Sequence, residues 1–320
     1  MSPSGPTGHG DLEEALLGAP CTLTREEVSA LAGVPEPAAR AVWVAMGFPE
    51  VAEGDRAFTE RDAEALRTVV HLRSLGLVDS DTLLVLARAM GQGLSRLAEA
   101  VVEVVLAQTG DLPVEQARGL AVAAADTALP GLEQLVLHVW RRQFAAATAR
   151  SLVVEREGGL PVLAVGFVDL VDFTRSTREW DASTLERTLE RFERDVALRV
   201  TAVGGRVVKT LGDEVLFVTG SASSAVAVAL DTVEAHDDDD ELPSVRAGVA
   251  LGPVLVRMGD VFGQPVNLAS RLTDEARPGT VLVDVVASGA LPDYDVRALR
   301  RRSVRGYRSL VPHLVRRRPA

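Results

Sequence analysis

The chain has almost no cysteine and almost no lysine. Its 320 residues include one cysteine, Cys21, which excludes an intrachain disulfide or a cysteine-rich zinc site and suits a reducing compartment. Of 34 basic residues only Lys209 is a lysine; the others are arginines, a drift that solvated positions tolerate. No basic-then-apolar leader opens the sequence, so secretion is not expected. No run of 18 apolar residues occurs. The greasiest stretch, 119–140, is interrupted by Asp126, Pro130 and Glu133, so no transmembrane segment and a cytoplasmic location are expected. Basic charge is also short: the formal net charge is −11. That excludes a generic nucleic-acid binder, which needs a cationic footprint.

What is present is globular, with 47% hydrophobic and 25% charged residues, and long enough for two cores at about 150 residues per domain. Residues 1–10 are rich in Ser, Pro and Gly and are expected to be disordered. Residues 11–150 read as helical, over 26–32, 36–46, 60–75, 80–107, 114–128 and 132–151, with almost nothing strand-like. This stretch carries 20 acidic and 12 basic residues, −8, leaving −3 for the rest. Beyond Gly158-Gly159 strands and helices alternate: strands at 161–169, 206–209, 214–218, 244–250, 254–258, 281–283 and after Tyr294, with helices at 184–203, 221–235 and 264–276. The order β-α-β-β-α-β with additions is ferredoxin-like. The expected organisation is a helical regulatory domain at 11–131, a linker or transmission helix at 132–159, and an α+β domain at 160–320. The acidic stretch 236–241 reads as a solvated connector.

Three segments carry candidate chemistry. In Phe167-Val168-Asp169-Leu170-Val171-Asp172-Phe173-Thr174 a carboxylate ends an apolar strand; buried alone it would be costly, so it serves as a metal ligand or caps the next helix. In Lys209-Thr210-Leu211-Gly212-Asp213-Glu214 the Gly-Asp tip is first of all a hairpin turn. In Gly259 to Arg271, Pro265 opens a helix and places Asn267 and Arg271 at i and i+4 on one face, a neutral hydrogen-bonding group beside a phosphate clamp. None of the five histidines lies in these segments, which disfavours a histidine general base.

In that order and combination, the three segments resemble the catalytic domain of class III nucleotide cyclases, from about Leu160 to Val315. The resemblance implies that Asp169 and Asp213 bind two Mg²⁺ or Mn²⁺ ions, with the Leu170 carbonyl as a further ligand. It implies that Lys209 and Asp260 select the purine, and that Asn267 and Arg271 stabilise the transition state. The turn at Phe173 and Thr174 would offer backbone N–H groups to phosphates. Lys209 can donate to N1 of adenine and Asp260 can accept from its N6 amino group, whereas guanine presents the reverse pattern; ATP is the expected substrate and 3′,5′-cyclic AMP the product. The site would be shared across a homodimer. Two departures are Asp172, where the family commonly has Gly, and Leu251-Gly252-Pro253-Val254, where some relatives place an Arg.

Residues 22–77 resemble the winged helix of MerR-type regulators through Thr24-Arg25-Glu26-Glu27-Val28, Ala32-Gly33-Val34, Arg40, Gly47-Phe48 and Phe58-Thr59-Glu60-Arg61-Asp62. Positions that touch DNA in that family are here Pro35, Ala38 and Ala41, which read nothing, so DNA binding is not expected. A degenerate helical domain reused for regulation or dimerisation is the reading. Its effector would be a proton or a fatty acid, while His71 and His138 read as ordinary helix-face histidines. The competing reading is a non-enzymatic, nucleotide-sensing, MerR-like DNA-binding regulator.

Overall fold

Three of the N-terminal helices begin where a side chain satisfies their first free N–H groups. Thr24 forms a capping box with Glu27 at the start of α2 (Arg25–Ala32), and Thr59 does the same with Asp62 at α4 (Glu60–Ser74). Asp79 accepts from the Thr82 amide to start α5 (Ser80–Thr109). Gly33 and Gly47 end α2 and α3 (Glu36–Met46) in the left-handed conformation. The computed structural model describes residues 9–319 apart from 77, 111, 158, 174–179, 240, 241 and 305. It divides into two compact units between Thr148 and Ala149.

In the first unit α1 (His9–Leu17) precedes α2. Val28, Ala39, Val42, Trp43, Ala63 and Leu66 form the core. One isolated antiparallel bridge, Leu23 to Phe58, ties the approach of α2 to that of α4. A cleft of about 30 Å³ beside Arg25, Arg40, Trp43, Phe48 and Phe58 has room for a water or two.

One expectation for this part of the chain changes, and another is not confirmed. The helices expected at 114–128 and 132–151 are a single α6 (Val114–Glu157) with Pro130 inside it. A proline removes one helical N–H, and the Ala- and Leu-rich turns on either side favour helix strongly enough to carry it. Read as one helix, Val114–Arg150 is also long and apolar enough, by length and composition alone, to cross a membrane. The expected absence of such a segment is therefore not confirmed.

The second unit is built on a seven-stranded sheet of order β2-β3-β1-β4-β7-β11-β8. Inside it β1 (Val162–Leu170) pairs antiparallel with β3 (Glu214–Thr219) on one side and β4 (Val245–Pro253), the middle strand, on the other, and β2 (Arg206–Leu211) lies outside β3. With α7 (Ala182–Ala202) and α8 (Ala222–Asp237) this is the ferredoxin-like core read from the sequence. Beyond it, β7 (Val281–Val283) runs parallel to β4, and β11 (His313–Arg317) and β8 (Tyr294–Ala298) complete the sheet, while β9 (Arg302–Val304) and β10 (Tyr307–Leu310) pair with each other.

β1 is a continuous apolar run because both of its faces are covered. Val168 joins Phe192, Val196, Phe217, Ala229 and Val249 on one face. Val165 and Phe167 join Leu216, Ala269 and Leu272 on the other, the face covered by α9 (Gln264–Glu275). Alternation along β1 puts Asp169 on the α9 face. Gly248 of β4 permits α9 to lie that close: a Cβ there would fall 2.6 Å from Thr273 Oγ1 and nearer still to the Ala269 carbonyl and Thr273 amide. A short hairpin, β5 (Leu255–Arg257) and β6 (Asp260–Phe262), leads into α9. The sequence pattern shows only its first strand.

Candidate functional site

Strand ends and turns gather the carboxylates. The Leu170 amide donates to the Asp213 carbonyl at 3.0 Å, which holds the β2–β3 turn against the end of β1. Gly212, at φ +72°, makes that turn. Asp169 lies directly across from Glu214. Arg246, on β4 opposite Asp169, places Nε and Nη2 each 2.7 Å from Asp169 Oδ2. Its Nη1 donates to the Asp274 carbonyl on α9 at 3.0 Å.

Burial raises the Asp169 carboxyl above its ordinary value, against the pull of Arg246 and with a push from Asp213. Burial first, then the charges of Asp169, Asp274 and Asp213, push Glu214 up to about 7. The carboxylates gathered here, with Arg246 as the partner of Asp169, suit an added cation.

Lys209 faces this side of the sheet because of a bulge. The β2–β3 register shifts between Val207 and Lys209, so Arg206 pairs with Val218 and Lys209 with Leu216, both on the α9 face. Lys209 Nζ then sits 2.6 Å from Asp260 Oδ2. Asp260 Oδ1 accepts from the Val261 amide at 2.8 Å. Burial pushes the Asp260 carboxyl up, but the Lys209 hydrogen bond, the Val261 amide and the charges of Lys209 and Arg206 outweigh it and hold the group below its ordinary value. The pair remains 38% and 28% exposed, open to a base.

Pro265 sits in the first turn of α9, and the helix presents Asn267 and, one turn on, Arg271. Asn267 is exposed. Arg271 Nη1 contacts Asp274 Oδ2 at 2.7 Å. The side chains therefore form three groups: Asp169 with Asp213, Lys209 with Asp260, and Asn267 with Arg271. Among the described residues Asp169 and Arg271 are connected only indirectly, through Arg246 and Asp274.

Phe173 packs against the core and meets Trp180 edge-on at 6.1 Å, so only its backbone could face a phosphate. Thr174 lies outside the described residues. Asp172 is exposed at φ +56°, the conformation that glycine favours. Sequence reasoning missed Arg246, Arg206 and Glu214. Nothing in their local spacing marks them, because each acts across the sheet.

Among the described residues, no cluster of three or more His, Cys, Asp or Glu is arranged to hold a metal ion. Two carboxylates with a backbone carbonyl nevertheless fit Mg²⁺ or Mn²⁺, hard cations that keep coordination positions for water and substrate phosphate.

A ferredoxin-like core with strand-end carboxylates beside a hairpin-borne ion pair defines the catalytic domain of class III nucleotide cyclases. Residues 159–316 match the family described as adenylate and guanylate cyclase catalytic domain, and the chain belongs to that family. It is 36% identical over 325 residues to an adenylate cyclase of Glutamicibacter nicotianae, covering 94% of this chain and 80% of that one. It is 40% identical over 282 residues to an adenylate cyclase of Streptomyces coelicolor, covering 85% and 72%. A solved structure similar to part of the chain is the catalytic core of a rhodopsin-guanylyl cyclase with converted specificity in complex with ATPαS. It is 25% identical with a TM-score of 0.47, over 50% of this chain and 97% of that one.

Proposed function

We propose that the chain is an adenylate cyclase that converts ATP to 3′,5′-cyclic AMP and pyrophosphate. The observation that carries this reading is the Lys209–Asp260 pair, 2.6 Å apart and open to solvent. The ammonium donates to adenine N1, and the carboxylate, held ionised, accepts from the N6 amino group. In the reaction the ribose 3′-oxygen forms a bond to the α-phosphorus, its proton is lost, and the bond to pyrophosphate breaks on the opposite side. Asn267 orients the ribose by hydrogen bonding, and Arg271 counters the charge that grows on the α-phosphate. Asp169, Asp213 and the Leu170 carbonyl would hold two Mg²⁺ or Mn²⁺ ions, which would supply Lewis-acid chemistry at the hydroxyl and charge neutralisation at the polyphosphate. The backbone N–H of Phe173 would face the phosphates, together with that of Thr174 as the sequence resemblance implies.

The chain works as a homodimer in which Asp169 and Asp213 of one subunit complete a site with Lys209, Asp260, Asn267 and Arg271 of the other. Within one chain Lys209 pairs with Asp260 while Asp169 pairs with Arg246, so the purine pair and the metal carboxylate have separate partners, which supports this arrangement. The N-terminal region, 11–131, regulates a catalytic domain at 160–320 through 132–159, with a proton or a fatty acid as effector, in the cytoplasm. The competing DNA-binding regulator has no support. Relatives called adenylate cyclases match 94% and 85% of the chain, so the helical part is shared with enzymes.

Mixing tests the shared site. Asp169→Ala and Asn267→Ala are each expected to be nearly inactive. After subunit exchange half the dimers are mixed and each has one intact site, so cyclic AMP production should recover to roughly a quarter of wild type. An exchanged mixture as inactive as its parents refutes the shared site.

A further inference from the structure

We infer that Arg206 is a positioning residue for base selection, clamping the hairpin that carries Asp260. The inference rests on the reading of Lys209 and Asp260 as the purine-selecting pair and names what holds that pair in register. The β5–β6 hairpin closes through Met258-Gly259, with Arg257 paired to Asp260. Both turn residues have positive φ, +52° at Met258 and +79° at Gly259, the combination of a type I′ turn. Glycine adopts it freely. Methionine has neither glycine's freedom nor the short polar side chain with which asparagine stabilises this conformation. Such backbone persists only where the surroundings over-determine it.

Here the over-determining contact comes from β2. Arg206 Nη1 donates to the Gly259 carbonyl at 2.6 Å, in the peptide group directly before Asp260. The same bulge that turns Lys209 to the α9 face leaves Arg206 on that face, so one strand supplies both the pair's donor and the clamp on its acceptor. Arg206 also adds positive charge that favours ionised Asp260, and an ionised carboxylate can only accept. A loosened hairpin would let the Asp260 carboxylate swing from Lys209 and would blur the donor–acceptor pattern that distinguishes adenine from guanine.

The test compares ATP with GTP as substrates of the full-length protein in Mn²⁺, reading kcat and KM separately. Arg206→Ala should lower the ratio of kcat/KM for ATP to that for GTP by about tenfold, the scale of one lost charge-assisted hydrogen bond, mainly through KM for ATP. Adding Met258→Asn, which suits the left-handed turn, should restore at least about a third of the lost discrimination. A merely structural loss would lower kcat for both nucleotides alike and leave the ratio unchanged. If Arg206→Ala does not fold, Arg206→Gln carries the same test, with a smaller fall in the ratio. Asp260→Ala separates the two levels. A ratio lowered by Asp260→Ala but unchanged in the Arg206 variants overturns the clamp and leaves the purine pair standing. A ratio unchanged in all of them overturns the purine pair and the clamp with it.

Discussion

Gly248→Ala is a one-methyl change that should disable catalysis from beneath the site. The added Cβ would lie 2.6 Å from Thr273 Oγ1, whereas ordinary contact begins near 3.4 Å; its approaches to the Ala269 carbonyl and Thr273 amide are closer. Two of the three obstacles are α9 backbone, so rotamer adjustment cannot relieve them. The helix must therefore move from β4 by about 1 Å, and Asn267 and Arg271 move with it. Overpacking of a well-filled interface costs about 1–3 kcal/mol. For a unit of this size that is a fall of roughly 2–10 °C in the unfolding midpoint. The catalytic loss should be larger, because an error of about 1 Å at the reacting groups costs on the order of a hundredfold. Differential scanning calorimetry and steady-state cyclic AMP synthesis measure the two effects separately. The expected result is a folded protein with kcat down about a hundredfold and a modest change in KM for ATP, since Lys209 and Asp260 lie on other elements. A variant that melts within a degree of wild type and keeps half its kcat would show that α9 is not seated as described.

Other perturbations address separate parts of the site. Lys209→Glu with Asp260→Cys inverts the donor–acceptor pattern, so ATP turnover should fall strongly and relative use of GTP should rise in a competition assay. Asp172→Gly removes a negative charge from the loop after β1 and relieves the backbone at φ +56°. KM for ATP should fall, while stability changes by no more than about 1 kcal/mol because glycine also loosens the unfolded chain. His236 is buried against Phe192, with Nδ1 3.0 Å from the Pro243 carbonyl. Burial lowers its pKa in spite of that hydrogen bond and the charge of Asp195, with Arg199 and Arg191 pushing the same way as burial. The neutral form is therefore favoured in the folded state. The associated stability is present above the unfolded value of 6.5 and is lost as pH falls through that value toward the lower folded one. Urea melts from pH 7.5 to 5 should show a smaller loss of stability in His236→Leu than in wild type; parallel curves would refute this.

Much of the architecture was legible in the sequence because it is local. The capping boxes at Thr24 and Thr59 set two helix starts, the apolar run ending at Asp169 set the buried inner strand β1, and Pro265 set the start of α9, which spans Gln264–Glu275. The i, i+4 spacing of Asn267 and Arg271 likewise needs only helical periodicity. The resemblance to class III cyclases was carried by segments short enough to read one at a time.

Tertiary structure decided what lies between those segments. The bulge after Val207 exists only in the pairing of β2 with β3, and it alone turns Lys209 to the face from which Asp260 is reached. Arg246 stands 77 positions from Asp169 and Arg206 stands 53 from Gly259, separations at which neither spacing nor propensity carries information. The continuity of α6 through Pro130 was likewise closed to local reading, because one proline weakens a helix without saying whether its neighbours outweigh it. Glu214 reads as an ordinary strand residue, and becomes a carboxyl pushed up to about 7 only when folding buries it beside Asp169, Asp274 and Asp213. Residue types and their spacing thus determine which chemistry is available along the chain. Register and close packing, which depend on partners distant in sequence, determine which of those groups meet.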